Sequence, residues 1–304
     1  MVELKPSNLY LPDHQSCARE ADQINMKLSS IGSQSRNPNI ENTPSKDFLW
    51  LNIRDLPYFR SLLRAVEAQF YQTLDLPAPT LDLGCGEGHF ASLVFNRKID
   101  VGLDPSHNTI HEAGGRQAYH LLTEADGGKM PYPDGYFASA FSNSVLEHIP
   151  HVEQVLGETA RVLKPGAVFA FCVPNHSFNE HLSIAVFLDK LRLHTLAKLY
   201  RDFFSYIARH RHLDGPEVWT SRLELAGFVV EKWWHYFSPK ALAVLEWGHY
   251  LGLPSLIAHK LTGRWIIVPT SWNLMLTYNL LRPYSNAVAS DDGVCTFYIA
   301  RRVG

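Results

Sequence analysis

Cysteine is scarce in this 304-residue chain, and so is any excess of charge. The four cysteines, Cys17, Cys85, Cys172 and Cys295, are too far apart for a metal knuckle or a disulfide framework. They read as the reduced thiols of a cytoplasmic protein. Lys and Arg number 28 against 30 Asp and Glu, a formal net charge of -2. That balance supplies no global field for nucleic acid. The opening MVELKPSNLYLPDH lacks a basic start followed by an apolar run, so no secretory signal is expected. The most apolar late stretch, Trp265 to Leu281, is broken by Pro269, Ser271, Asn273 and Asn279, a poor pattern for a membrane span. What is plentiful is apolar surface: 46% of residues are hydrophobic, enough to bury a substantial core.

Residues 1–46 are polar and end in a Ser-, Asn- and Pro-rich run, which reads as a flexible or loosely docked arm. Residues 47–304 read as one domain. A lead helix is expected first, with Phe59, Leu62, Leu63, Val66 and Phe70 at helical spacing, ended by Pro77 and Pro79. From Thr80 to about Asn175, strand-like and helix-like segments alternate, which calls for a parallel sheet flanked by helices. Two apolar, aromatic-rich insertions follow, at about 178–211 and 239–284, and are expected to form a helical cap. The helix and strand within PEVWTSRLELAGFVVEKWW lie between them, and VCTFYIARR supplies a last strand.

The segment TLDLGCGEGHF places Gly84, Gly86 and Gly88 at alternate positions after a short strand. A strand entering a helix through such a turn gathers backbone N–H groups and the positive helix end at one point. Glycine also lets a ligand approach the backbone closely. Asp82 precedes the turn on the same strand face as Gly84. Asp104 ends the next strand, where a carboxylate can accept from both hydroxyls of a ribose. A dinucleotide turn would read G-x-G-x-x-G; here His89 stands in place of the third glycine, and Glu87 sits where a pyrophosphate would be repelled. Both points favour a nucleoside ligand without phosphate over NAD.

Taken together, LDLGCGEG, VGLDPS, EADGGKMPYPDGYFASAFSNSVLEHI and RVLKPGAVFAFCVPN resemble the class I S-adenosylmethionine-dependent methyltransferases, the small-molecule group that includes the quinone C-methyltransferases. The resemblance covers roughly Leu56 to Asn175, with the later helix and strands continuing the fold. It implies an α/β, Rossmann-like, seven-stranded, mostly parallel sheet with the last strand inserted antiparallel. It also implies S-adenosyl-L-methionine as cofactor. Carried over position by position, Gly84, Cys85, Gly86 and Gly88 would approach the methionine and ribose. Asp82 would help hold the methionine amino group and Asp104 would take the ribose hydroxyls. Pro105 would lie against the adenine, Asp126 and Gly127 would meet its edge, and Asn143 would face the methionine. Ala138 and Gly128 depart from the family pattern without removing a core contact.

Methyl transfer from a sulfonium expels a neutral leaving group, so alignment can carry much of the catalysis and a base is needed only for a protonated nucleophile. His148, in VLEHIPH, is the candidate base, with His151 behind it. The loop HRHLDG holds His210, Arg211, His212 and Asp214; it can orient an acceptor, or Asp214 can cap the helix that follows. Between Lys190 and Arg211 six basic residues accompany a stripe of Leu191, Leu196, Leu199, Phe203 and Ile207. Such a helix can lie on an anionic membrane or pack as a lid with its charges in water; the lid is preferred. Trp and Tyr in the second insertion point to an acceptor that is partly apolar or delivered from a membrane surface. The partner expected is therefore a small-molecule, lipid or glycan-linked acceptor, not nucleic acid, with peripheral membrane contact left open. The acceptor atom and the oligomeric state are not readable. Two alternatives remain at this stage: an NAD-dependent oxidoreductase, and a non-catalytic cofactor-binding partner subunit.

Overall fold

The computed structural model describes residues 46–304. The N-terminal arm read from the sequence lies, apart from Lys46, outside these residues.

The alternating apolar pattern builds one seven-stranded sheet. Its strands are β1 (Thr80–Leu83), β2 (Ile99–Asp104), β3 (Tyr119–Glu124), β4 (Phe137–Asn143), β5 (Leu163–Pro174), β6 (Phe228–Tyr236) and β7 (Cys295–Arg302). The order across the sheet is β3-β2-β1-β4-β5-β7-β6. β1 to β5 run parallel, and β7 inserts antiparallel between β5 and β6. The chain reverses strand order at β1 and β4, so a crevice opens beyond their carboxyl ends, where ligands of open α/β sheets bind.

The lead segment is two helices, α1 (Phe48–Ile53) and α2 (Tyr58–Gln72), separated at Pro57. Pro57 lacks the N–H an unbroken helix would need there. The expected single helix is thus divided, and it ends at Gln72, before the prolines. Next come α3 (His89–Val94), α4 (His107–Arg116) and α5 (Val152–Val162), which follow β1, β2 and β4. α5 stops at Val162, and Gly166 just beyond it takes a left-handed conformation.

The two insertions do fold as helices. The first gives α6 (Ser183–Lys190) and α7 (His194–Ala208). Helix α8 (Pro216–Leu225) then leads into β6. The second insertion gives α9 (Pro239–Leu251), α10 (Leu253–Thr262) and α11 (Ser271–Leu281). One expectation fails here. The stripe Leu191, Leu196, Leu199, Phe203 and Ile207 does not pack inward: all five are exposed, and α7 buries Ala197 and Phe204 instead. Positions 197, 200, 204 and 208 share a different side of the helix from 196, 199, 203 and 207, so α7 carries two apolar faces and only one has a partner among the described residues. Asp214 does not cap α8, whose N-cap is Gly215; it pairs with Arg222 at 2.6 Å.

Two apolar layers cover the sheet. One face holds Leu81, Val101, Phe137, Phe171 and Trp219; the other holds Leu62, Val66, Tyr71, Phe141 and Phe297. Phe171 is fully buried, stacked on Tyr298 at 4.8 Å and 5.4 Å from Trp219. Phe171→Ala should cost about 3–5 kcal/mol, because the cavity left among rigid rings cannot collapse. Urea unfolding of the variant against the parent chain measures this directly.

Candidate active site

Beyond β1 and β2 the backbone makes the first half of the site. Gly84, Gly86 and Gly88 all have positive φ, of 76°, 52° and 74°. Their N–H groups, however, do not point at an open site. Gly84 and Cys85 donate to the Leu103 carbonyl at 2.8 and 2.9 Å. Gly86 donates to Asp104 Oδ2 at 3.1 Å, and Gly88 to the Cys85 carbonyl at 3.1 Å. These donors are thus spent on β2 and, for Gly88, on the turn itself, and the turn instead offers close approach. A Cβ on Gly84 would lie 2.5 Å from Val145 Cγ1, whereas a Cβ on Gly86 would meet nothing within 4 Å. Gly84 is required by packing, and Gly86 leaves open room.

Asp104 is fixed by three donors: Gly86 N–H at Oδ2, and Ser106 N–H and the Thr109 hydroxyl at Oδ1, both 2.9 Å. Asp82 is buried and accepts from the Tyr119 hydroxyl at 2.7 Å. Gly102 makes this contact possible, since a Cβ there would stand 2.9 Å from the Tyr119 ring. Burial pushes Asp82 up to about 7, against the Tyr119 hydrogen bond and aided by the Asp104 charge. A cationic group placed beside it would hold it ionised.

These residues line a cavity of about 320 Å³. Its wall brings together Asp82, Gly84, Cys85, Gly86, Asp104 and Asn143 of the predicted set, with His148 at one end. Gly88, Pro105, Asp126 and Gly127 are not in that wall. Gly88 is the N-cap of α3, packed on Ala113 and Tyr119. Pro105 and Asp126 are exposed, just after β2 and β3. Asp126 Oδ1 accepts from Gly128 N–H at 2.7 Å, and Gly127 packs against Leu83 and Val155.

The floor under both halves of the site is a buried polar cluster that no local motif revealed. Glu67, on α2, is fully buried. It accepts from Asn143 Nδ2 (2.8 Å), the Ser144 hydroxyl (2.8 Å), the Tyr236 hydroxyl (3.0 Å) and Arg64 Nη1 (2.9 Å). Arg64 also donates to the carbonyl and to the side-chain oxygen of Asn143. Asn143 is therefore held by its amide rather than free to meet a ligand with it. Ser144, held at φ 49°, turns the chain from β4 into the single helical turn Leu146–His148.

That turn borders a second cavity, of about 640 Å³, which shares Arg60, Arg64, Ser144 and His148 with the first. Its far wall is apolar and belongs to α2, α7 and α9: Phe59, Leu63, Phe204, Ile207 and Leu245. His148 Nδ1 lies 3.1 Å from the Arg209 carbonyl, so Nδ1 carries the proton and Nε2 offers a lone pair. Burial in the cavity wall lowers its pKa, which keeps it neutral near pH 7. His210 stacks on it at 5.8 Å and is itself pushed down to about 3 by burial and by the neighbouring histidines. His151, the other base considered, is exposed at the N-cap of α5 and lines neither cavity.

Glu147 was not singled out from the sequence, yet it is the most perturbed acid on this wall. It is buried, and burial raises its carboxyl to about 8. Oε1 stands 3.6 Å from His148 Nε2, and Oε2 has no hydrogen-bond partner. The loop after α7 anchors it, as Arg211 and His212 N–H groups both donate to the Glu147 carbonyl. The sequence hinted at that loop but not at this contact. Among the described residues no group of acids, histidines and cysteines could hold a metal ion.

A family model described as a methyltransferase domain matches residues 81–171, the stretch that builds β1 to β5 and the glycine turn. The chain carries a class I S-adenosylmethionine-dependent methyltransferase domain. A probable S-adenosylmethionine-dependent methyltransferase of Mycolicibacterium smegmatis is 29% identical over 172 residues, covering 56% of this chain and 59% of that one. A trans-aconitate 2-methyltransferase of Rhodopseudomonas palustris is 28% identical over 191 residues, covering 59% and 70%. The matches span about half the length of several of the curated relatives. Among solved structures, a geranyl diphosphate methyltransferase in complex with its substrate and sinefungin aligns with a TM-score of 0.50 at 14% identity, covering 81% of this chain and 84% of that one. The cyclase SpnF aligns with the same TM-score at 17% identity, covering 96% and 97%. These two likenesses are of fold. S-adenosylmethionine is the cofactor of the methyltransferase family, and the first cavity suits it, with a carboxylate at Asp104, open space at Gly86 and a buried carboxylate at Asp82.

Two predictions follow from the turn and from Glu147. Gly86→Ala should fold with a modest cost of about 1–2 kcal/mol for its left-handed backbone, yet lose cofactor binding because its methyl enters the cavity. Gly84→Ala should fail to reach the parent stability at all, which thermal unfolding with and without S-adenosylhomocysteine separates. Glu147 is raised in the folded state, so the unfolded chain ionises first and stability falls as pH climbs from about 4.5 to about 8. Glu147→Gln removes that loss. It should gain about 1–3 kcal/mol relative to the parent at pH 8 compared with pH 5, read from urea unfolding at both pH values.

Proposed function

We propose that this protein is an S-adenosylmethionine-dependent methyltransferase whose acceptor is a partly apolar small molecule bearing one polar group near its reacting atom. The observation that carries the reading is the pair of joined cavities. One has the acids and glycines of a nucleoside-binding turn. The other, twice as large, is apolar at its far wall and carries its polar groups at Ser144, Glu147 and His148, at the arginines Arg60, Arg64 and Arg209, and at His210 and His249. The fold alone does not carry it, since a neighbour of the same fold is named a cyclase.

When bound, the cofactor supplies an electrophilic methyl group. The chain's own residues do the remaining work. Asp104 takes the ribose hydroxyls and Asp82 the positive end of the methionine. The Glu67 cluster holds the backbone of Asn143 and Ser144 in place beneath the reacting atoms. The apolar wall excludes water and orients the acceptor, which supports in-line attack by alignment. If the nucleophile carries a proton, His148 Nε2 can accept it, and Glu147 beside it can share the resulting charge. The unpartnered Glu147 oxygen calls for a hydrogen-bonding group on the acceptor.

A tricarboxylate such as trans-aconitate, the acceptor in the name of two relatives, fits less well. Arg60, Arg64 and Arg209 could meet some of its charges, but the remainder would lie against the apolar far wall and beside the buried Glu147. A nicotinamide reading has only Asp104 in its favour, and Glu87 lines the cavity where a pyrophosphate would run.

The test is thermal stability with S-adenosylmethionine, S-adenosylhomocysteine and NAD in parallel. Stabilisation by the first two, near 2.7 kcal/mol at about a hundred times the dissociation constant, and none by NAD, is expected. Asp104→Ala should weaken S-adenosylhomocysteine by about 2–4 kcal/mol, measured by calorimetry, since two hydrogen bonds to a charged acceptor are lost. Stabilisation by NAD alone, or full affinity in the variant, would sink the reading.

A further inference from the structure

Twenty of the 26 exposed large apolar side chains among the described residues belong to the cap helices and their linkers. Helix α10 buries no residue at all. It presents Leu253, Ile257 and Leu261 along one face, the last 80% exposed. Helix α11 buries only Leu274 and Leu281, while Trp272, Met275, Leu276 and Leu280 form a second stripe at helical spacing. Trp272 and Leu276 are 79% and 80% exposed. The unpartnered face of α7 adds Leu196, Leu199 and Phe203. The largest apolar patch on an ordinary monomer is about 300–600 Å² and is often functional. A surface with this many half-exposed Leu, Trp, Phe and Ile side chains needs a cover.

The stripes are joined to one another and to the acceptor cavity. Trp247 and Leu251 of α9 meet Leu280 of α11 across a shallow apolar depression of about 340 Å³. Ile207 of α7 and Leu256 of α10 are partly exposed and also line the acceptor cavity. The outer face of the cap therefore surrounds the cavity mouth.

The charge of the cap says what covers it. Residues 178–211 and 239–284 hold ten Lys and Arg against four Asp and Glu, in a chain whose net charge is -2. One of the four acids, Glu246, is buried and bound to Ser183, Ile184 and Tyr200. Lys190, Arg192, Lys240, Lys260 and Arg264 are exposed and have no carboxylate within 4.0 Å among the described residues. Lys190 and Arg192 flank Leu191, and Lys260 precedes Leu261. Cations bordering exposed Leu and Trp on helices that lie in a surface suit the interface of an anionic bilayer. No helix of the described residues is long and apolar enough to cross one, so contact would be interfacial.

We infer that the outer face of the cap, α7, α10 and α11 with the linkers between them, docks onto an anionic lipid surface with the acceptor cavity mouth turned toward it. Docking rests on the proposed function only for its purpose, which is to take a partly apolar acceptor from the lipid without crossing water.

The full-length chain is sedimented with vesicles of phosphatidylcholine alone and of phosphatidylcholine with phosphatidylglycerol, alongside Leu199→Glu/Leu276→Glu. Neither position lines a cavity. The parent chain should partition onto the anionic vesicles, at least tenfold more weakly onto the neutral ones, and several-fold more weakly at high salt. The double variant should bind anionic vesicles at least tenfold more weakly while S-adenosylhomocysteine still raises its melting temperature. Failure of the parent chain to bind anionic vesicles overturns the inference, and light scattering then tells whether a second copy covers the face. Equal binding by the double variant, or equal binding to neutral vesicles, overturns it too. Asp104→Ala should bind vesicles like the parent. Vesicle binding by a parent chain that ignores S-adenosylmethionine would leave docking standing and remove the proposed function alone.

Discussion

The site depends on one buried carboxylate. Glu67 sits on α2, outside the sheet, yet it accepts hydrogen bonds from the end of β4, from Tyr236 at the end of β6 and from Arg64 one turn earlier on its own helix. A carboxylate in this position is tolerable only if its lone pairs are filled, and here four donors fill them. The consequence is geometric. The left-handed turn at Ser144, the helical turn after it and the lead helix are tied to one point, so the wall shared by both cavities cannot shift without breaking several charge-assisted bonds at once. Arg64 and Ser144 serve both cavities, which places the tie where two ligands would meet.

Two other buried acids have opposite surroundings. Asp82 is supported by Tyr119 and faces the space where a cationic ligand would sit. Glu147 has no donor on Oε2 among the described residues and a neutral histidine 3.6 Å from Oε1, and its own backbone N–H and the Arg64 charge offset only part of its burial. Burial raises both, to about 7 and about 8. The first is therefore ready to be ionised by a bound cation, and the second stays protonated until something in the acceptor cavity changes its surroundings. Two raised carboxyls in neighbouring cavities would thus answer to different ligands, Asp82 to a cation beside it and Glu147 to whatever enters the second cavity.

The sequence exposed whatever is local. The glycine turn, the acid two residues before it and the acid ending the next strand are each set within a few residues of a strand end, so composition and spacing reveal them. The seven-stranded, mostly parallel sheet and the antiparallel insertion of β7 came from the family resemblance and are borne out by the structure, whose strand order was not read from the sequence. What stayed hidden was set by contacts across long separations. Glu67 reaches partners 76 to 169 residues away, and Tyr119 reaches Asp82 past a glycine whose own purpose, making room for the ring, is invisible in VGLD. The N–H groups of the turn were misread for the same reason: those of Gly84, Cys85 and Gly86 find their acceptors on β2, and that of Gly88 on Cys85.

The stripe on α7 shows a different limit. Helical periodicity states that one side of a helix is apolar, not that the side meets the protein's own core. Leu196, Leu199 and Phe203 recur at the spacing of a packed face, and the positions that do pack, Ala197 and Phe204, are offset by one residue. A one-residue offset turns the helix by about 100°. Small residues such as Ala197 carry little weight in a hydrophobic count, yet they let α7 approach its neighbours closely, so the helix is seated by its weaker stripe and its stronger one is left facing outward. A helix held that way leaves its largest apolar side chains uncovered by the described residues.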